Sequence, residues 1–300
     1  MLTWIVGGKG SRGIMTANAG RRVRGLAKLV RPTHWIKNVF VLAPLIFARQ
    51  YTDPGKVADS LFAFVVFCLA ASACYIINDL HDVEYDRRHP TKRSVRPLAA
   101  GSVSTREATI LLAVLLGLLA AAFAKDAALM LVVGAYLVLN VAYTYVLKNQ
   151  PVLDIFAVAS GFVLRIYAGA VALQVPLSAW MTITTLCLAL YLAAIKRRQE
   201  LVNNGSDGRA VLGKYSPALV DRYAEMAATG ALVFYSLFVM TTNHRLVATI
   251  PLVIFGLFRY WYVVDRQEGG ESPTDVVLSD GPLLATVVLW GAVCLWVLSS

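Results

Sequence analysis

The sequence predicts an all-α, polytopic membrane protein of about nine transmembrane helices, and three observations carry that prediction. Of 300 residues, 58% are hydrophobic and 15% charged, against about 25% charged in an ordinary globular chain. The mean hydropathy is +0.62. The apolar residues are gathered into nine segments, and nine helices of about 20 residues would occupy roughly 180 positions. Four cysteines, Cys68, Cys74, Cys187 and Cys294, lie inside apolar runs without metal-ligand spacing, so they read as small core hydrophobes.

Taken in order, residues 1–31 lack the central apolar stretch of a signal peptide and read as a disordered basic cytoplasmic tail. The run Gly7-Gly8-Lys9-Gly10-Ser11 lacks the GxxxxGK[ST] spacing of a phosphate loop. Residues 32–300 form a single transmembrane domain. Its apolar segments fall at about 36–48, 61–77, 108–124, 127–146, 152–173, 179–195, 226–242, 246–264 and 282–298. The first is the weakest, being short and interrupted by Pro44. The second is the clearest and ends abruptly at Asn78-Asp79. The connection at about 199–225, with Asn203-Asn204-Gly205-Ser206-Asp207-Gly208, reads as a mobile loop.

The formal charge is +10, from 28 basic and 18 acidic residues. Nine spans put the tail and the loops after even-numbered spans on one side. That side holds eight basic residues in 1–37, six in 78–106, Lys148, six in 196–225, and Arg259 with Arg266. The other side holds Arg49, Lys56, Lys125 and Arg245, while Arg165 lies within a span. The excess of 23 against 4 predicts that the first side is cytoplasmic.

Candidate chemistry gathers on that side. In Asn78-Asp79-Leu80-His81-Asp82-Val83-Glu84-Tyr85-Asp86-Arg87, helical geometry would advance Asn78, Asp82 and Asp86 by only about 40° per step, lining one face with Asp79 close by. Carboxylates at a helix C-terminus oppose the helix dipole and each other, and a divalent cation offsets that cost. Hard oxygen ligands suit Mg²⁺, which completes its shell with water and phosphate oxygens. Arg87, Arg88, Lys92, Arg93 and Arg96 follow within ten residues. Metal ligands beside dense cations describe a diphosphate site, although such cations also serve as membrane-surface anchors.

The motif N-D-x-x-D-x-x-x-D-R at the end of the second of nine spans resembles the UbiA superfamily of intramembrane prenyltransferases. The resemblance implies a UbiA-type bundle, with Asn78, Asp79, Asp82 and Asp86 as catalytic residues and Asn78, Asp82 and Asp86 as Mg²⁺ ligands holding a diphosphate. Typical members carry a second acidic DxxxD motif after the sixth span. Here Lys196-Arg197-Arg198-Gln199-Glu200 stands there, with no carboxylate pair at that spacing. Cations hold a phosphate directly, or merely end a span.

That combination, with Arg31-Pro32-Thr33-His34-Trp35-Ile36-Lys37-Asn38, Leu153-Asp154 and Gly161-Phe162-Val163-Leu164-Arg165, resembles the branch that transfers phosphoribosyl groups to decaprenyl phosphate in actinobacterial cell-wall (arabinogalactan) synthesis. The resemblance implies a Mg²⁺-dependent, multi-pass plasma-membrane phosphoribosyltransferase with its N-terminus and active-site loops cytoplasmic. It implies transfer from phosphoribosyl pyrophosphate (PRPP) to a polyprenyl phosphate with release of pyrophosphate. The partners are those two substrates and the bilayer, with no nucleic acid, and broad apolar outer faces permit a homo-oligomer. The rivals are prenyl transfer to an aromatic acceptor, which should show the second acidic pair, and a transporter or channel, which needs no Asn/Asp ladder.

Lys37, Arg87, Lys92, Arg93, Tyr145, Lys148, Asp154, Arg165, Lys196 and Arg197 are the expected substrate-binding residues. His34 and Trp35 read as interfacial anchors. Tyr143, Tyr145 and Lys148 match the family's YxxxK element only loosely. Asp154 reads as a ligand or as a helix cap. Arg165 reads as a phosphate ligand or as half of an ion pair with another helix, since a mid-span charge must face the bundle interior.

Overall fold

The computed structural model describes residues 22–88, 92–204, 211–266 and 273–299. Eight helices are long and apolar enough to cross a membrane: α1 (Pro54–His81), α2 (Thr105–Phe123), α3 (Ala127–Tyr145), α4 (Leu153–Leu173), α5 (Ala179–Asn204), α6 (Pro217–Thr242), α7 (Ile250–Arg266) and α8 (Gly281–Ser299). No strand occurs among the described residues.

Local chemistry sets the helix starts, often well before the apolar run. The Asp53 carboxylate accepts the backbone N–H of Gly55 at 2.8 Å, with Pro54 in the first turn, so α1 begins seven residues ahead of Leu61. Ser104 and Glu107 form a reciprocal capping box on α2. Asp126 caps α3, and Ser216 followed by Pro217 starts α6. Helix α5 continues through the basic cluster to Asn204. The expected mobile stretch at 199–225 is therefore partly helical, with 205–210 outside the described residues.

The first expected span departs from α-helical geometry. Pro32–Leu42 is a 3₁₀ helix and Ala43–Phe47 a short α-helix. Pro44 has no N–H to return to the Phe40 carbonyl, which accepts from Ala43 at the shorter i+3 spacing. Arg31 meets Asp79 at one end of α1 while Asp53 caps the other. The segment therefore runs antiparallel along α1. Helix 22–30 precedes it and buries Leu29 against Ala73 and Ile76, so the expected tail 1–31 is shortened. Residues 1–21 lie outside the described residues.

Lipid tails are as apolar as leucine, so helices in a bilayer associate through close packing rather than through hydrophobic expulsion. Helix α1 is accordingly rich in buried small residues, namely Ala63, Ala70, Ala71, Ser72 and Ala73. One core joins Val41, Phe67, Val133, Tyr136 and Ala168 from the 3₁₀ segment, α1, α3 and α4. At Gly169 on α4 a Cβ would lie 1.9 Å from the Val41 carbonyl oxygen, so only glycine permits this approach. A second core packs α4 to α7 through Ile155, Tyr191, Val220 and Val263. Cys68, Cys74 and Cys294 are buried as free thiols, with Cys187 half-buried.

Candidate active site

The Asn/Asp ladder sits where α1 ends. Its helix is not continuous: Asp82 leaves helical geometry at φ −92°, ψ 4°, and a short helix restarts over Val83–Arg88. Two hydrogen bonds bridge the break, Asp82 N–H to Asn78 O at 2.9 Å and Asp86 N–H to Asp82 O at 2.8 Å. The four-residue spacing thus survives the bend and keeps Asn78, Asp82 and Asp86 on one side.

Each carboxylate meets a cation. Lys148 donates to both oxygens of Asp82, at 2.8 and 3.2 Å, and His81 Nδ1 lies 2.7 Å from Oδ1. Burial would raise the Asp82 pKa, but the Lys148 and His81 hydrogen bonds outweigh it and hold the carboxyl below the usual carboxylate range. Lys92 lies 3.8 Å from buried Asp86. Asp79, 2% exposed, takes Arg31 at 2.5 Å and Arg96 on the same oxygen. Its other oxygen, Oδ2, is buried without a hydrogen-bond partner among the described residues. The Thr144 hydroxyl donates to Asn78 Oδ1 at 3.5 Å.

Arg31 and Arg96 both pair with Asp79, a partnership that the sequence reading did not assign. Arg31 sits at φ +53°, and its guanidinium lies 4.6 Å above the Tyr75 ring. Its place in the Arg-Pro dipeptide before the first span was the available signal. Arg87 instead pairs with Glu84, away from the ladder, and Arg93 is exposed. Tyr145, 56% exposed, sets its ring edge-on to His81 with centroids 4.6 Å apart.

Asp154 and Arg197, both expected at the site, meet in a buried network. Asp154 caps no helix: fully buried, it accepts from Arg197 Nε at 2.5 Å and from the Tyr215 hydroxyl at 2.7 Å. Arg197 also donates to Glu200 and to the Tyr143 hydroxyl. Each guanidinium nitrogen of this expected phosphate ligand thus has a partner within the protein, where a buried charge demands pairing. The Tyr215 hydroxyl, which burial pushes up in pKa and keeps protonated, additionally accepts the N–H of Val152 at 2.6 Å. That bond holds Val152 at φ +68°, a conformation β-branched residues rarely adopt.

Among the described residues Arg165 has no ion-pair partner on another helix. It donates to Asn38 Oδ1 at 2.8 Å, Gly161 O at 2.8 Å and the Tyr136 hydroxyl at 2.9 Å, among the rings of Phe67, Tyr136 and Phe162. Neutral dipoles and aromatic faces solvate its charge. Asn38 ties this network to the 3₁₀ segment, one residue from Lys37. Lys37 shares its electrostatic surroundings with Lys196, Arg165, Asp275 and Arg31. Lys196, on α5, lies 3.8 Å from Glu200.

Among the described residues no three His, Cys, Asp or Glu side chains converge into a ready metal cage. Mg²⁺ does not require one, since it is commonly held by one or two carboxylates with water and substrate phosphate. Asp82, Asp86 and Asn78 form an all-oxygen donor set, and the unpartnered Asp79 Oδ2 adds a buried anionic oxygen beside it. The residues therefore fit a magnesium–diphosphate site.

A helical membrane bundle that delivers an Asn/Asp ladder and facing lysines to one end defines an intramembrane transferase. The profile of the UbiA prenyltransferase family matches residues 39–275, and the chain belongs to that family. The chain is similar to the decaprenyl-phosphate phosphoribosyltransferase of Corynebacterium glutamicum, 37% identical over 284 residues that cover 89% of this chain and 84% of that protein. The decaprenyl-phosphate phosphoribosyltransferase of Mycobacterium tuberculosis is 36% identical over 294 residues, covering 93% and 96%. A UbiA homologue from Archaeoglobus fulgidus, solved with GPP and Mg²⁺, superposes with a TM-score of 0.68 at 20% identity, covering 92% of this chain and all of that one. That likeness establishes the fold.

Proposed function

We propose that this protein transfers a 5-phosphoribosyl group from PRPP to a polyprenyl phosphate of the decaprenyl type and releases pyrophosphate. The observation that carries the reading is on α5, which brings Lys196 into the electrostatic neighbourhood of Lys37 where an aromatic prenyltransferase would bring a second carboxylate pair. The relatives at 36–37% identity support it.

In the transfer, the bond from ribose C1 to the pyrophosphate oxygen breaks and a bond from C1 to a lipid phosphate oxygen forms. Mg²⁺, when bound, neutralises charge developing on the leaving oxygen. Asp82, Asp86 and Asn78 supply its protein oxygens. Lys148 and Lys92, resting on Asp82 and Asp86, exchange those carboxylates for diphosphate oxygens when substrate arrives. Arg31 and Arg96 hold Asp79 and so fix the end of α1. The lipid phosphate is already anionic and needs positioning rather than a general base; Lys196 and Lys37 supply it. Arg197 acts as a positioning residue through Asp154 and Glu200.

The charge distribution supports placing the ladder face in the cytoplasm of a plasma-membrane protein. The test is release of pyrophosphate by the purified protein. Release should require PRPP, polyprenyl phosphate and Mg²⁺ together; release from a prenyl diphosphate with an aromatic acid would establish the rival reaction instead.

A further inference from the structure

The 3₁₀ segment divides into columns, because residues three apart eclipse in that geometry. Thr33, Ile36 and Val39 are exposed, Asn38 and Val41 are buried, and His34, Lys37 and Phe40 form a half-buried column between them. His34 and Lys37 are therefore stacked one turn apart on the side that shares its electrostatic surroundings with Lys196 and Asp275.

His34 packs against α1. Its ring stands edge-on to Tyr75 with centroids 5.2 Å apart, and the neighbouring Trp35 donates to Ser72 Oγ at 3.1 Å, locking the turn onto α1. His34 Nδ1 is buried with no hydrogen-bond partner among the described residues. A proton on Nδ1 would be an unsatisfied buried donor, which is costly. The proton therefore belongs on Nε2, the nitrogen left to meet a ligand. The buried Nδ1 and the neighbouring Lys37 and Arg31 cations disfavour a second proton on the ring. Among the described residues no carboxylate lies within ion-pair distance of Lys37. A neutral donor beside two like charges suits an anion: it adds a hydrogen bond without a further cation to repel the others.

We infer that His34 is a further substrate-binding residue, donating from Nε2 to a phosphate monoester held between Lys37 and Lys196. This rests on the proposed function, in which both substrates present such a group, the lipid headgroup and the 5-phosphate of PRPP.

The test is direct binding of decaprenyl phosphate and, separately, of PRPP with Mg²⁺ to the detergent-solubilised full chain, with turnover measured in parallel. His34→Phe keeps the ring contact with Tyr75 and removes the donor; His34→Leu replaces it if the phenylalanine variant does not fold. His34→Gln keeps a neutral N–H. A hydrogen bond to a charged group is worth about 1.5–3 kcal/mol, so the Kd for one ligand should rise about tenfold or more in His34→Phe and recover most of the way in His34→Gln. Which Kd moves assigns the phosphate to the lipid or to the donor. Unchanged affinity for both ligands, equal loss in both variants, or no binding of either ligand by the wild type would overturn the assignment. Binding without phosphoribosyl transfer would refute the proposed function and leave this site standing.

Discussion

At the scale of single residues, the ladder and the Arg197 network make opposite predictions. Asp82→Asn or Asp86→Asn should lower Mg²⁺-dependent turnover by about a hundredfold or more, since each removes a charged oxygen from the leaving-group site. Asp82→Asn should change the melting temperature in detergent little, because Asp82 is partly exposed. A variant with normal activity would refute the metal assignment. Asp154→Ala should instead destabilise the protein, by about 3–5 kcal/mol, because it strands the buried Arg197 guanidinium. Asp154→Leu combined with Arg197→Met should recover most of that loss in the same melts. A large rise in KM without loss of stability would return Arg197 to the substrate. The ladder was legible in the sequence because its spacing is local. The Asp154–Arg197 pair was not, because it joins two helices 43 residues apart and no periodicity encodes which helix faces which.

At the scale of elements, α-helical periodicity located the eight long helices and misjudged the segment before them. Pro44 marked a weak span, and the physical consequence is a 3₁₀ helix whose columns repeat every third residue. Read at a period of 3.6, His34 and Lys37 drift apart; read at 3.0, they stack. The segment is pressed against α4 at Gly169, where an added methyl meets backbone rather than a movable side chain. Gly169→Ala should therefore push the segment away from α4, carry Lys37 and His34 out of register, and destabilise the protein by about 1–3 kcal/mol. Melting and the Kd for decaprenyl phosphate should both worsen. A variant of wild-type stability and affinity would show that the close approach is not needed.

At the scale of the whole molecule, the +10 charge was the most informative sequence property and the easiest to misread. Part of it orients the chain, and part faces carboxylates: Lys148, Lys92, Arg31 and Arg96 all rest on the ladder. Sequence alone could assign these cations to one face but not to partners, since the pairing depends on how the bundle closes. On the proposed reading, the cations of α5, in place of a second acidic pair, are what separate phosphoribosyl transfer from prenyl transfer on a shared fold. The decisive measurement follows the phosphorus. Purified protein is incubated with Mg²⁺, decaprenyl phosphate and PRPP labelled in its 5-phosphate, and the lipid is extracted. The account predicts an acid-labile lipid that carries the label, formed in step with unlabelled pyrophosphate. An unlabelled lipid, or prenylation of an aromatic acid by the same preparation, would contradict it.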